Sequence, residues 1–476
     1  MTLDGHRRPR REIEISAGDA AGPRRFCLDR GIEGKDEDED EDGTRRTRCR
    51  APLPAVFGDF RGSIFLNEAG VSGTKIMRIL HVTPSYYPAI RYGGTIFAVH
   101  DLSSGLASLG HDVDVFTTNR DGPGVTAVPI GTPVTLDGVR VTYFAADLLP
   151  RLYLAPAMKK ALAAKIKSTD LVFIHSVFLW PTTIAARVAR AAGVPYVASP
   201  HGMLVKNLIA SRSRLLKMAW IRLFERTNYE RAAAIRVTSR YEEAELARFG
   251  WPLRKVLRIP NAANLPKPYE VADVSPDILA LIGQEPVILY FGRMSLKKGI
   301  DRLIAGLPHV SRGRLAIVGT DDEGLAAGFT RTAARHGVAD RVTILPRLVD
   351  GADKEHLFRS AAVFALVSHS ENFGNTVLEA MARGAPVVVT PEVGASEMVL
   401  DAGAGLVVDG DPVAVGAALN GLLADPERRA RMGAAGESYS RLKCSRAGLA
   451  QTMSAAIEEI VATHRHDGAS GTGPRA

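Results

Sequence analysis

The stretch Ala361-Ala362-Val363-Phe364-Ala365-Leu366-Val367-Ser368-His369-Ser370-Glu371-Asn372-Phe373-Gly374-Asn375-Thr376-Val377-Leu378-Glu379-Ala380 decides how this chain is read. Residues 361–367 are an unbroken apolar run of strand length, the pattern of a strand covered on both faces of a parallel sheet. Val377-Leu378 and Ala380-Met381-Ala382 then recur at helical spacing until Gly384 stops them. Glu371 is therefore placed on the loop after a strand, and Glu379 about one and a half turns into a helix. Gly374 lets a ligand come close to the backbone. The start of the helix offers unpaired N–H groups to an anion. One short segment thus supplies a carboxylate near a reacting group, an anion cradle and a carboxylate for sugar hydroxyls, which suits a nucleotide sugar. The competing reading is an exposed polar turn before a surface helix.

Outward from this segment the pattern repeats. Strands are expected at 77–82, 112–117, 139–144, 171–175, 194–198, 234–238 and 255–259, and a second series at 286–291, 313–318, 341–345, 361–367, 385–389 and 405–408. Strands alternating with helices imply an α/β chain with two doubly wound parallel sheets. The division falls at 266–284, a polar stretch punctuated by Pro266 and Pro268, giving domains at 77–265 and 285–445. A helix at 446–463 is expected, followed by a loose Gly/Ser-rich tail at 464–476. Ligands of such sheets bind beyond the carboxyl ends of the strands.

Several of those loops carry suitable chemistry. Strand 286–291 leads into Gly292-Arg293-Met294-Ser295-Leu296-Lys297-Lys298-Gly299, where Arg293 and Lys298 can reach a diphosphate held over the sheet edge. Strand 313–318 leads into Gly319, with Asp321, Asp322 and Glu323 beside it; these acids would repel phosphate, so backbone contact is expected there. In the first domain Gly93-Gly94 precedes a helix and allows close backbone approach. Strand 194–198 ends in Ser199-Pro200-His201-Gly202-Met203-Leu204, which fixes His201 at the cleft; His175 ends another strand and reads as structural or acceptor-side. Asp112-Val113-Asp114 opens a strand whose alternation explains it, and metal binding is not expected. Asp409-Gly410-Asp411 reads as a turn before Pro412.

The Glu371-to-Glu379 segment, the Gly-Arg…Lys-Gly loop and Pro200-His201-Gly202-Met203-Leu204 together resemble the retaining GT-B glycosyltransferases, glycosyltransferase family 4, particularly polysaccharide-assembly members. The resemblance spans about residues 77–460 and implies that the helix at 446–463 packs back on the first domain. It implies transfer of a sugar from a nucleotide diphosphate sugar to a hydroxyl of a glycan or lipid-linked acceptor, without a metal or other cofactor. By the resemblance, Arg293 and Lys298 stabilise the leaving diphosphate, Glu371 and His201 contact the sugar, and Glu379 holds the ribose. Phe373, Gly374, Asn375 and Thr376 line the donor with Gly93, Gly94, Gly319 and Arg347. Asn375-Thr376 departs from the apolar residues common there, which leaves sugar specificity open. A nucleotide-sugar 2-epimerase and a non-catalytic glycan-binding protein share this architecture and remain alternatives. A nicotinamide oxidoreductase would need a Gly-x-Gly-x-x-Gly after the first strand, and none is in place.

The net charge of +8 is unevenly spread: residues 1–76 hold 14 basic and 15 acidic residues, so the remainder carries 46 and 37, a net of +9. That suits anionic ligands or an anionic membrane face, and no nucleic-acid motif accompanies it. Residues 1–76 alternate basic and acidic blocks that cannot bury a core and read as a disordered extension, with Met77 near the natural start. Cys27, Cys49 and Cys444 form no metal or disulfide pattern, which points to a reducing cytoplasm. Leucines and arginines interleave from Leu204 to Arg236; peripheral contact with the inner membrane face is expected through 206–222, and an amphipathic core helix from Leu223 to Arg231.

Overall fold

The computed structural model describes residues 75–469 except 92, 207, 208, 210–213 and 284, with side chains to 466. The expected extension at 1–76 lies almost wholly outside the described residues, as do Cys27 and Cys49. The first sheet contains β1 (Arg78–Val82), β2 (Asp112–Thr118), β3 (Val134–Leu136), β4 (Val139–Phe144), β5 (Leu171–His175), β6 (Tyr196–Ser199), β7 (Ala234–Val237) and β8 (Val256–Arg258). Their spatial order is β8-β7-β6-β5-β1-β2-β4-β3, parallel throughout except for the β3–β4 pair. The second sheet contains β9 (Val287–Phe291), β10 (Arg314–Val318), β11 (Val342–Leu345), β12 (Val363–Leu366), β13 (Val387–Val389) and β14 (Gly405–Val407), in the order β11-β10-β9-β12-β13-β14. All six are parallel.

The apolar runs explain these strands. Val287, Ile288, Leu289 and Tyr290 are buried, as are all four residues of β12, because helices cover both faces of the sheet. In both sheets the winding reverses once. The reversal falls between β9 and β12 in the second sheet and between β1 and β5 in the first. A crevice opens at such a point because the helices after the two neighbouring strands leave to opposite faces.

Four details differ from the sequence reading. The strand β3 and a small ribbon pairing Arg120–Asp121 with Gly124–Val125 were not expected, since their residues lack an apolar run. The segment 266–284 carries a helix, Pro276–Leu281, whose Ile278 is fully buried in the second core. Asp353 holds its start by accepting from Ser275 N at 2.7 Å and Ser275 Oγ at 2.8 Å. Leu223, expected in a core helix, is 68% exposed, although Asn228 and Tyr229 farther along are buried. The last helix runs Arg446–Ala469, past His464. It does so because His464 Nε2 lies 2.9 Å from Gly193 O and Arg465 pairs with Asp170 at 3.0 Å.

That helix returns to the first sheet. Leu449, Met453, Ile457, Ile460 and Val461 recur at helical spacing and join the core formed by Val99, Leu102 and Leu106 of helix Gly94–Ser108. Arg446 pairs with Asp101 at 2.6 Å, and His111 Nε2 meets Ser454 Oγ at 2.8 Å. The chain crosses between the two halves near Ala263 and again near Cys444, and these crossings are bonded, Ala263 N to Cys444 O at 2.8 Å. Met453 is fully buried. Met453→Ala is expected to cost about 2–5 kcal/mol in chemical denaturation, against within about 0.5 kcal/mol for the exposed Leu442→Ala. Equal midpoints for the two variants would mean that the last helix contributes nothing to the first core.

Candidate active site

The loop after β9 is held rigidly. Tyr290 Oη donates to Arg293 O at 2.9 Å, Met294 N donates to Thr320 O at 2.8 Å, and the Met294 side chain is fully buried. Burial pushes the Tyr290 hydroxyl far above its ordinary pKa, so it stays a neutral donor. A short 3-10 turn, Leu296–Lys298, then leads into helix Ile300–Gly306. The loop after β12 is fixed as firmly. Glu371 N donates to Glu392 O at 2.9 Å, Gly394 N to Glu371 O at 3.0 Å, and His369 N to Lys297 O at 2.8 Å, which ties the two loops together.

Because β9 and β12 are neighbours, Lys298 and Glu371 meet in a direct, mostly buried ion pair. Burial acts to raise the Glu371 carboxyl, but Lys298, Lys297 and Arg293 outweigh it and hold it below the usual carboxylate range. Lys297 is itself lowered, chiefly by burial, with Glu371 opposing. Arg293 lies 3.6 Å from Glu323, a half-exposed contact screened by solvent. Glu379, on helix Asn375–Ala382, pairs with Lys354 of helix Gly351–Ser360 at 2.9 Å, and the Lys354 ammonium sits 5.7 Å from the Phe291 ring centroid. Gly374 occupies the N-cap of helix Asn375–Ala382 at φ 89°, with no side-chain cap on the N–H groups that follow.

Phe373 is buried in the second core, and its carbonyl accepts from Ala395 N at 2.7 Å. Asn375 bridges to the first domain: its Nδ2 donates to Gly94 O at 3.2 Å, and its Oδ1 accepts from Asn261 Nδ2 at 2.9 Å. Gly93 and Gly94 are thereby brought against the start of helix Asn375–Ala382, with Thr376 half-buried on its first turn. A Cβ on Gly319 would lie 2.0 Å from Gly292 O, so this glycine lets the turns after β10 and β9 stack. The acids after it are all engaged: Asp321 accepts from Leu325 N and Ala326 N, Asp322 lies 3.5 Å from Arg91, and Glu323 faces Arg293. The Arg347 guanidinium is bound by Asp277 at 3.0 Å and Asp353 at 3.1 Å, apart from the Lys298–Glu371 pair. Asp112 and Asp114 are engaged by Arg140, and Asp114 also by Lys165, which accounts for both carboxylates. Asp411 caps the next helix, accepting from Val413 N and Ala414 N.

His201 lies just beyond β6 with φ 49°, and His175 Nδ1 is 3.0 Å from its Nε2. The adjoining Gly202 faces Asn372: a Cβ there would lie 2.3 Å from the Asn372 Cβ. His201 and Glu371 therefore stand on facing turns, each one residue removed from the contact of Gly202 with the Asn372 side chain. Further bonds cross the same line, Ser239 Oγ to Asn372 O at 3.2 Å and Arg240 to Glu397 at 2.9 Å. Lys297 and Asn372 also belong to this region, inside the quoted loops but without an assigned role, whereas Lys354, His81 and Arg236 stand in no recognisable motif. His81 alone left a sequence signal, a histidine inside the apolar strand Ile79–Val82.

His81, His175 and His201 are buried together, and burial above all holds them neutral: His81 and His201 are lowered from 6.5 to about 3, and His175 falls well below 6.5. The folded rings therefore bind fewer protons than the unfolded ones between those values. Stability is fully present above the unfolded pKa and is lost as pH falls, by about 1.4 kcal/mol per pH unit for each neutral ring. Chemical denaturation at pH 6 and pH 5, above most carboxylate pKa values, is expected to show this decline. An unfolding free energy that stays level over that interval would mean the rings are charged in the folded protein.

Residues 273–439 match the family described as glycosyl transferases group 1, and residues 93–262 match the glycosyl transferase 4-like domain. The chain is 30% identical over 401 residues to a D-inositol 3-phosphate glycosyltransferase of Xylanimonas cellulosilytica, covering 78% of this chain and 94% of that one. It is 31% identical over 319 residues to a GDP-mannose-dependent alpha-(1-6)-phosphatidylinositol monomannoside mannosyltransferase of Mycolicibacterium smegmatis, covering 62% of this chain and 77% of that one. The fold is similar to that of sucrose-phosphate synthase from Thermosynechococcus elongatus, with TM-score 0.62 and 24% identity over 81% of this chain and 100% of that one. It is similar also to Anabaena HepE solved with UDP and glucose, with TM-score 0.62 and 20% identity over 80% of this chain and 100% of that one. With both halves matched and a relative covered nearly from end to end, the chain belongs to the retaining GT-B glycosyltransferases, the nucleotide-sugar-dependent group 1 enzymes of glycosyltransferase family 4.

Proposed function

We propose that this enzyme moves a hexosyl group from a nucleoside diphosphate sugar to a hydroxyl of a glycan or lipid-linked saccharide during envelope or exopolysaccharide assembly. The observation that carries this reading is the Lys298–Glu371 pair at the switch point of the second sheet, faced by the His201–Gly202 turn of the first. In this reading the diphosphate lies over Gly292–Gly299, the ribose at Glu379 and the sugar between Glu371 and His201. The Phe373, Gly374 and Asn375 backbone turns toward the donor, with Thr376, Gly319 and the Gly93-Gly94 loop beside it, and Arg347 stands at the nucleobase end. The acceptor oxygen bonds to the anomeric carbon on the face from which the diphosphate departs. The bond from that carbon to the phosphate oxygen breaks, its electron pair stays on the phosphate, and the acceptor proton passes to a phosphate oxygen. Arg293 and Lys298 stabilise the charge that develops there, each charge-assisted bond contributing about 1.5–3 kcal/mol.

Lys298→Ala is expected to lower turnover by a factor of about 10²–10³, measured with a panel of UDP- and GDP-sugars. Thermal unfolding of the same variant separates lost chemistry from lost fold. Near-normal turnover in a folded variant removes Lys298 from this role. Donor incubated without acceptor is expected to keep its sugar configuration, whereas an epimerised sugar would favour isomerase chemistry.

A lipid-linked acceptor is supported by the surface of helix Arg214–Trp220 and the π-turn Ile221–Glu225 after it. There Leu215 is 86%, Leu216 69% and Leu223 68% exposed, interleaved with Arg214, Lys217 and Arg222. Exposed leucines flanked by cations suit an anionic bilayer face, and a cytoplasmic enzyme would meet it on the inner membrane. Among the described residues no helix is long and apolar enough to cross a membrane. The protein is expected to sediment with mixed phosphatidylcholine and phosphatidylglycerol vesicles. Leu215→Asp with Leu216→Asp should weaken that binding by about tenfold or more; unchanged sedimentation overturns the membrane contact.

A further inference from the structure

The three buried histidines form one hydrogen-bonded row across three neighbouring strands. His81 is on β1, His175 on β5 and His201 just beyond β6. His81 stands opposite Phe173, two residues before His175, and His175 stands opposite Ser199, two residues before His201. His81 and His175 are therefore one pleat apart on one face of the sheet, and His201 follows on the turn beyond β6. His81 Nδ1 lies 2.9 Å from His175 Nε2, and His175 Nδ1 lies 3.0 Å from His201 Nε2. The first two rings are nearly coplanar at 6°, with Phe173 stacked against both. The row runs from the sealed interior, where His81 and His175 are fully buried, to the turn beyond β6 that faces Asn372, where His201 is 9% exposed.

The charged groups nearest the row belong to other networks. Arg236, on β7, donates to Ile259 O, Pro260 O and Asn261 Oδ1. Glu242 accepts from Gly202 N, Thr238 N and Thr238 Oγ1. Among the described residues no carboxylate accepts from any of the three rings, so each is neutral and has one N–H and one lone pair. Both bonds must then run in the same direction, since a reversed ring would set two lone pairs or two N–H groups against each other. The direction is set at the far end. His81 Nε2 is sealed without a partner. A bare lone pair is tolerated there better than an orphaned N–H, and the positive field of Arg236 favours it further.

Building on the transferase reading, we propose that His81 and His175 are positioning residues that fix His201 as the Nδ1–H tautomer, so that it presents a hydrogen-bond donor from Nδ1 to an oxygen of the donor sugar. An unconstrained imidazole prefers the opposite tautomer, with the proton on Nε2. The row therefore holds His201 in the form it would otherwise populate least. Donors lacking an acceptor oxygen at that place are selected against.

The test is a two-bond proton–nitrogen correlation spectrum of the full-length protein with nitrogen-15-labelled imidazoles, at neutral pH and without substrate. Three neutral Nδ1–H rings are expected; a charged His201, or one protonated on Nε2, overturns the proposal. His175→Gln keeps an amide N–H toward His201 and should preserve both its tautomer and turnover. His175→Leu severs the row, should return His201 to Nε2–H, and should lower kcat about tenfold, the worth of one neutral hydrogen bond. Identical spectra for the Gln and Leu variants overturn the proposal, and if the Leu variant does not fold, the wild-type spectrum decides alone. The spectrum needs no donor, so a protein with the expected tautomers but no transfer would count against the transferase reading only.

Discussion

Lys298 and Glu371 are 73 residues apart and meet only because β9 and β12 pair as neighbours. The rest of the site depends on that contact. Taking two charges out of water is costly, and removing one partner of such a pair costs about 3–5 kcal/mol because the other is left buried and uncompensated. The protein meets this by fixing both loops with backbone bonds before any ligand arrives, so neither side chain has to be ordered later. The arrangement does not block the site. An ammonium has three N–H donors and a carboxylate several lone-pair positions. Under the proposed function, Lys298 would keep Glu371 while donating to phosphate, and Glu371 would keep Lys298 while accepting from a sugar hydroxyl. The pair is a preorganised dipole, with its positive end suited to the leaving group and its negative end to the sugar.

The first domain completes the site through polar contacts of a different kind. Asn372, Asn375 and Ser239 join the two halves by hydrogen bonds, each worth about 0.5–1.5 kcal/mol, and Arg240–Glu397 and Arg91–Asp322 add solvent-screened ion pairs. The bonded crossings at Ala263 and Cys444 lie within continuous chain. Separating the halves would break the cleft contacts while leaving both apolar cores intact. That is the energetic profile of domain closure around a ligand, with a hinge at two backbone crossings.

Much of this was legible because the signals were local. Apolar runs in a parallel sheet mark strands directly, so β5 and β4 begin and end where the sequence reading put them. The placement of the loops was legible for the same reason: Arg293, Lys298 and Glu371 each follow a recognisable strand, and Glu379 sits in the helix after one. What was missed depended on partners distant in sequence. Lys354 gains meaning only from Glu379 and Phe291, and the ion pairs of Arg347, a residue that was named, only from Asp277 and Asp353. Helix Pro276–Leu281 hid in a proline-punctuated stretch because its one deeply buried side chain, Ile278, packs on a core built by later residues. The hairpin β3–β4 had a signal that went unused, Asp137-Gly138 between two short strands, both in the left-handed region that such a turn demands. His81 was the hardest case. A lone histidine in an apolar strand reads as core, and only its register against Phe173 reveals the row it begins.

Asn375 shows how one departure from the family pattern can be structural and functional at once. An apolar side chain at the first turn of that helix could not bond Asn261 and Gly94 together. Here the amide donates with Nδ2 and accepts with Oδ1, which holds the uncapped N–H groups of helix Asn375–Ala382 against the Gly93-Gly94 loop. A donor placed as proposed at this helix start would meet a polar latch. It must either displace the Asn375–Gly94 bond and replace it with a sugar oxygen, or bind beside a cleft that this bond already draws together. If the donor lies as proposed, the amide would bear on which sugar is accepted, through a hydrogen bond that an analogue lacking the matching oxygen would leave unmade.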